Sequence, residues 1–262
     1  MSDLDLLPAM AQAARDGAAL LPPRSRPQGF DSWPEFRAAF DAVDRPVSDL
    51  LRDRLHAARP GAAWAGELDA DLAAGGEAWV VDAVDGAVQY LQGLPQWAVS
   101  IALVRDGRPV LAALLSATLG ETFTAALGGG AFLDGVPITP SGKTDPTLAL
   151  VTTSHPPLVR TQPGAVAVAA RATARLLPAV GALRNLGPTS WQVADVACGR
   201  VDAFWEYGHD AGNLLAGALI ASEAGAVVTD AEGRPWQATS DSFLAAPPAL
   251  HTRLVELLAE NA

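Results

Sequence analysis

Apolar positions recur at helical spacing from Leu4 to Leu21, an Ala-rich amphipathic stretch that Pro22-Pro23 brings to an end. A loop rich in Pro, Arg, Gly and Ser occupies 22–33. The pattern predicts a second helix from Asp44 to Ala58. Asp44 can cap it, Pro46 fits a first turn where a missing N–H costs nothing, and Pro60-Gly61 closes it. The period then falls to two. Strands are predicted over Ala78 to Asp82, Trp97 to Val104, Pro109 to Leu115, Thr122 to Ala126 and Ala131 to Leu133. Asp106-Gly107 and Asp134-Gly135 are hairpin signals between them, and Gly128-Gly129-Gly130 reads as a bend, so the strands form an antiparallel meander. Further on, strands and helices alternate. Leu148 to Thr152, Val201 to Trp205 and Ala226 to Thr229 are strand-like; Gly164 to Leu177, Ser190 to Cys198, Ala211 to Ala224 and Leu250 to Glu260 are helical. The expected class is α+β followed by α/β, with an N-terminal half over 1–144 and a C-terminal half over 145–262 joined in one unit.

Composition narrows the function classes. A chain of 262 residues is one large domain or two intimate ones, and with 50% hydrophobic and 18% charged residues it is not a disordered chain. Ala and Gly supply much of the apolar count, which implies a core of small residues and tight helix contacts. The formal charge is −11 and Lys143 is the only lysine, so no basic patch offers a surface to nucleic acid or an anionic membrane. Lys143 reads as a solvated group, and His56, His155 and His251 as surface residues. No run reaches the ~18 uninterrupted apolar residues of a membrane span. The start, Met1-Ser2-Asp3-Leu4-Asp5, carries acid where a signal peptide carries base, and the expected location is cytoplasmic. Cys198 is the only cysteine, so no internal disulfide forms.

The chemistry concentrates in Trp79-Val80-Val81-Asp82-Ala83-Val84-Asp85-Gly86-Ala87. An apolar strand delivers two carboxylates, three residues apart, into a glycine turn. Two such acids repel unless a proton or cation lies between them. A hard cation such as Mg²⁺ takes oxygen ligands and keeps room for substrate phosphate. The N–H groups of Gly86, Ala87 and Val88 can hold a phosphate oxygen. Glu67 stands 15 residues before Asp82, and Asp210 opens the predicted Ala211–Ala224 helix, where an ordinary N-cap is the plainer reading.

With these pieces assembled, the chain resembles the inositol monophosphatase family of metal-dependent phosphatases, from about residue 41 to 230. The motif W-x-x-D-P-[IV]-D-G-T matches Trp79 to Ala87. The G-x-G-A-F-x-N-G segment matches Gly128 to Gly135, and A-x-G-R-x-D-A-F-x-E matches Ala197 to Glu206. The second motif, W-D-x-A-A-G with E-A-G-G after it, is placed on His209-Asp210-Ala211-Gly212 and Glu223-Ala224-Gly225-Ala226. The resemblance implies the layered αβαβα sandwich of that family. It implies Glu67, Asp82, Asp85 and Asp210 as metal carboxylates with the Val84 carbonyl beside them, for two or three Mg²⁺ ions or Mn²⁺ in their place. It implies phosphate held by Gly86 and Ala87, water ordered by Asp44 and Glu67, and substrate met by Glu206 and His209. The implied reaction is hydrolysis of a small phosphate monoester, such as an inositol, sugar or related polyol phosphate, by a homodimer.

Several positions depart from the pattern. Ala87 replaces the Thr whose hydroxyl takes part in activating water, Ala83 replaces Pro, Leu68 replaces an acid and His209 replaces Trp. Pro188 stands where the family has a small residue near the leaving group. The segment from Glu206 to Asp210 is about three residues shorter than usual. Losing a general-base relay costs roughly 10²–10⁴-fold in rate. The alternatives are a non-catalytic homologue that binds metal and a phosphorylated ligand, and a nucleotide 3′-phosphatase. A D-x-D haloacid dehalogenase site is strongly disfavoured, because Asp82 and Asp85 are three residues apart, not two, and follow two N-terminal helices.

Overall fold

The computed structural model describes residues 3–23, 29–66 and 75–259. Two helices open the chain, α1 (Asp3–Ala18) and α2 (Trp33–Ala58). A seven-stranded sheet follows in simple sequence order: β1 (Ala63–Gly66), β2 (Glu77–Asp85), β3 (Ala98–Arg105), β4 (Arg108–Ser116), β5 (Glu121–Ala126), β6 (Gly130–Leu133) and β7 (Val136–Pro137). From β2 onward it is an antiparallel meander; β1 runs parallel to β2 at the edge. The short helix α3 (Ala87–Leu91) interrupts the path from β2 to β3. A second sheet has the order β11-β12-β10-β8-β9. It is built from β8 (Leu150–Thr153), β9 (Ala182–Arg184), β10 (Ala203–Tyr207), β11 (Val227–Thr229) and β12 (Ser242–Ala246). Helices α4 (Pro163–Leu176), α5 (Thr189–Ala197), α6 (Ala211–Glu223) and α7 (Pro248–Leu258) connect or follow its strands.

Three apolar clusters fix the layers. Along β3, Val99, Ile101 and Leu103 turn to one face and meet Leu6, Met10, Val47 and Leu51 of α1 and α2. Ala98, Ala102 and Val104 turn to the other face and meet α5 and α6, which in turn cover Phe204 and Phe243 of the second sheet. On that sheet's far side Trp205 and Leu244 pack on Leu176 of α4 and Leu250, Leu254 and Leu258 of α7. The alternation of side chains along each strand thus produces the order helices, sheet, helices, sheet, helices, the expected αβαβα sandwich. Helix α6 lies in its middle and is buried on every side from Ala211 to Ala221, which accounts for a sequence there that is apolar apart from Asn213.

Small residues let the central helices approach. A Cβ on Gly217 of α6 would stand 2.8 Å from Val193 Cβ of α5 and 3.1 Å from Ser190 O. The triple-glycine bend is held by this chain's own acid: Gly128 N and Gly130 N donate to Glu223 Oε1 and Oε2 at 2.8 and 2.9 Å.

Some expectations are corrected. Asp44 does not begin a helix. Helix α2 starts at Trp33, with Ser32 Oγ accepting from Glu35 N at 3.4 Å and Glu35 Oε2 accepting from Asp31 N at 3.0 Å. Pro46 is tolerated inside α2, and the helix runs on past it to Ala58. Lys143 is not merely solvated: its Nζ lies 2.7 Å from Oδ2 of buried Asp202, which also accepts from Ser141 Oγ and Leu150 N. His251 is buried against Thr229, Nε2 to Oγ1 at 2.8 Å. The strand expected from Leu148 starts at Leu150, because Asp145 first caps a 3-10 turn over Pro146–Leu148. The strand expected from Val201 starts at Ala203. Among the described residues no helix is long and apolar enough to cross a membrane.

Candidate active site

Strand β2 carries the first pair of acids. It is flanked by β1 and β3 and is buried from Ala78 to Asp85. Asp82 pairs with Ser100 and Asp85 with Ala98, so Ala83 and Val84 share a bulge opposite a single residue of β3. Strict alternation would send residues three apart to opposite faces. The bulge undoes that. Ala83 and Val84 both pack on the α1–α2 side, while Asp85 reaches α5, where Oδ2 accepts from Ser190 N at 3.2 Å and from Ser190 Oγ. Asp82 Oδ1 accepts from Val84 N at 3.0 Å. Gly86 follows at φ 89°, and a Cβ there would stand 2.8 Å from Gln96 O and 2.9 Å from Pro188 Cγ. Only glycine fits that turn. Ala87, buried, begins α3, and the opening N–H groups of a helix have no partner within it.

The second sheet supplies the other acids. Glu206, on β10, is completely buried, and neither of its carboxyl oxygens has a hydrogen-bond partner among the described residues. The Thr189 hydroxyl nearby donates to Ser154 Oγ at 2.9 Å instead. Asp210 stands at the N-cap position of α6 but bonds no backbone N–H there. Its Oδ1 accepts from Asn213 Nδ2 at 2.7 Å; its Oδ2 and Asn213 Oδ1 are buried and unpartnered.

These carboxyls resist ionisation. Burial pushes Asp85 up to about 6, against the two hydrogen bonds from Ser190. Burial, and then the charge of Asp85, pushes Glu206 up to about 8. Asp210 is pushed well above the usual range by burial and by the charge of Glu206. No arginine or lysine pairs with Asp85, Glu206 or Asp210 among the described residues. Buried charges without partners are costly, and this pocket offers acceptor oxygens to a ligand that brings positive charge or donor groups. The residues present therefore fit a hard cation. Among the described residues no three carboxylate, imidazole or thiol groups by themselves form a chelating set; Glu67, a fourth expected acid, lies outside the described residues.

The remaining expected residues are placed as follows. Asp44 lies half-buried in the middle of α2, its carboxyl raised by burial and by Asp41; the groups that act on it are all on its own helix. His209 is exposed, with its peptide clamped by Gln162: His209 N donates to Gln162 Oε1 at 2.7 Å and its carbonyl accepts from Gln162 Nε2 at 3.2 Å. The structure thus brings Asp85, Glu206 and Asp210 into one electrostatic group, with Asp82, Gly86 and Ala87 adjoining Asp85 in sequence.

The model of the inositol monophosphatase family matches residues 30–262. The chain belongs to the inositol monophosphatase family. It is 35% identical over 202 residues to an inositol-1-monophosphatase of Rhizobium meliloti, covering 76% of this chain and 75% of that protein. It is also 35% identical over 195 residues to the Nus factor SuhB of Pseudomonas aeruginosa, covering 73% and 72%. Among solved structures, Mycobacterium tuberculosis SuhB aligns with a TM-score of 0.79 at 30% identity over 97% of this chain and 96% of that one. An inositol monophosphatase from Anabaena shares the fold, with a TM-score of 0.82 at 24% identity and 98% and 96% coverage.

Within this inositol monophosphatase family chain, two site residues escaped the sequence reading. Ser190 stands just after Pro188-Thr189 and gives no signal of its own until α5 is seen to abut β2. Asn213 carries no charge to mark it in the sequence, although it follows Asp210 at the three-residue spacing that joins side chains on a helix.

Proposed function

We propose that this chain is a Mg²⁺-dependent phosphoric monoester hydrolase acting on an inositol phosphate or a similar small polyol phosphate. The observation that carries the reading is the group of buried acids Asp85, Glu206 and Asp210 beside the Gly86 turn, with no arginine or lysine paired to them among the described residues. Family membership and the printed names of the inositol-1-monophosphatase relatives support the same reaction.

In this reading Asp82, Asp85 and Asp210, with the Val84 carbonyl and Glu67, hold the cations. Bound there, Mg²⁺ supplies the Lewis acidity that activates water and offsets charge on the phosphate. The N–H groups of Gly86 and Ala87 hold a phosphate oxygen at the start of α3. Asp44 and Glu67 order the attacking water. Glu206, acceptor-only when ionised, receives hydroxyl hydrogens of the polyol, and His209 forms the outer edge of the pocket. The buried side chain of Ala87 has no hydroxyl to join the water relay, so its loss is expected to reduce turnover more than binding.

That same residue favours a second reading, a homologue that binds metal and a phosphorylated ligand without cleaving it. The relatives named as Nus factors are consistent with a family that includes roles other than hydrolysis. Phosphate release from a panel of phosphate monoesters, with Mg²⁺ and then with a chelator, separates the two. Metal-dependent release that is lost in Asp82→Asn supports the hydrolase; ligand binding without release across the panel supports the second reading.

A further inference from the structure

Asn213 raises a question that the acids do not. Its Nδ2 donates to Asp210 Oδ1 at 2.7 Å, which fixes the amide and leaves Oδ1 buried with no partner. An unpartnered buried carboxylate can relieve itself by taking a proton, but an amide carbonyl in the physiological range cannot. The lone Oδ1 therefore calls for a ligand; Asp210, which Asn213 touches, has its Oδ2 buried without a donor, as are both oxygens of Glu206, the acid that acts on Asp210. With both carboxyls ionised these are four acceptors without a donor, a set that suits a cation.

The packing of α6 gives a second, independent indication. The second motif ends on a glycine four residues after its acid. Gly217 is the glycine that α5 requires, since a Cβ there would meet Val193 Cβ at 2.8 Å. Four residues before Gly217 stands Asn213, not Asp210. In this register the three-residue shortfall after Glu206 disappears.

We propose that Asn213 Oδ1 is a cation ligand, standing in the acid position of the second motif, and that the adjacent Asp210 supplies the negative charge the amide lacks. The inference rests on the reading of this pocket as a divalent-cation site. It goes beyond that reading in giving the site a neutral oxygen where the motif has a charged one, so the site binds its ion weakly.

Calorimetric titration of the full chain with Mn²⁺ and with Mg²⁺ tests this without reference to activity. Affinity rises with ligand charge, so Asn213→Asp is expected to tighten Mn²⁺ binding about ten-fold or more. The same variant is expected to melt lower than wild type without the ion and to regain that loss with it. Asn213→Ala, which removes the oxygen, is expected to weaken binding about ten-fold. Wild type binding either ion with Asn213→Asp no tighter overturns the assignment of Asn213 alone. No ion bound by wild type or by Asn213→Asp overturns the cation reading of the pocket as well. Because the decisive variant restores an acid, the test stands even if Asn213→Ala fails to fold.

Discussion

Ala87 and Gly86 are neighbours with opposite consequences. The Ala87 methyl is buried at the first position of α3, next to the acid pocket. Ala87→Thr is expected to raise kcat for phosphate release by about 10²-fold through a restored hydroxyl, with KM changed little. Steady-state kinetics read this directly, and an unchanged kcat would mean that another group already activates the water. Gly86→Ala places a side chain at φ 89° and within 2.8 Å of Gln96 O, and is expected to lower stability by about 2 kcal/mol or more. Urea unfolding measures it. Asp82, Asp85 and Gly86 stand out in the sequence through the motif that spans Trp79 to Ala87; a strand ending in acids and glycine, taken alone, reads as well as a polar turn. Asp44 is not the cap because Ser32 and Glu35, three apart, form the capping pair that starts α2 at Trp33. Asn213 is legible only once Gly217 is seen packed on α5.

At the scale of elements, Glu77 ties three of them together. At the start of β2 it accepts from Arg59 at the end of α2, at 2.7 and 2.8 Å, and from Arg105 at the end of β3 at 2.9 Å. Arg105 also reaches Asp3 at the start of α1. The hydrogen bonds from Arg59 and then those from Arg105 hold the Glu77 carboxyl down to about 2 from 4.5. A depressed carboxyl stabilises the fold fully above its unfolded value of 4.5, and the contribution is lost as pH falls toward 2. Glu77→Gln is therefore expected to cost on the order of 2 kcal/mol at pH 7, after allowance for solvent screening, and to flatten the decline in stability between pH 5 and 2. Urea midpoints across that range test it; parallel curves for the two proteins would contradict the clamp. The meander was legible because its strands alternate and its turns carry Asp-Gly; Asp106 and Asp134 take the positive φ those turns need. β9 was not legible, since three residues, Ala182–Arg184, become a strand only by pairing with β8. Nor was α3, whose five residues read as part of a turn.

At the scale of the molecule, the two sheets share one middle layer, and the candidate site lies where that layer meets both. Asp85 comes from the first sheet and Glu206 from the second, with α5 between them supplying Ser190 and α6 supplying Asp210 and Asn213. The αβαβα order was legible through resemblance, while composition alone gave only a core of small residues. How the two sheets' acids meet could not be read from spacing, because Asp85 and Glu206 are far apart in sequence and joined only by packing. In the proposed function these buried acids form one working site. Its most direct test is Mg²⁺-dependent phosphate release from inositol 1-phosphate by wild type and by Asp85→Asn. The amide keeps one oxygen to accept from Ser190, while it removes the charge and turns the other acceptor oxygen into a donor NH2. The expected result is release by wild type that falls at least about 10²-fold in Asp85→Asn, with the variant melting no lower than wild type in the absence of metal. Equal release by both proteins would contradict the account.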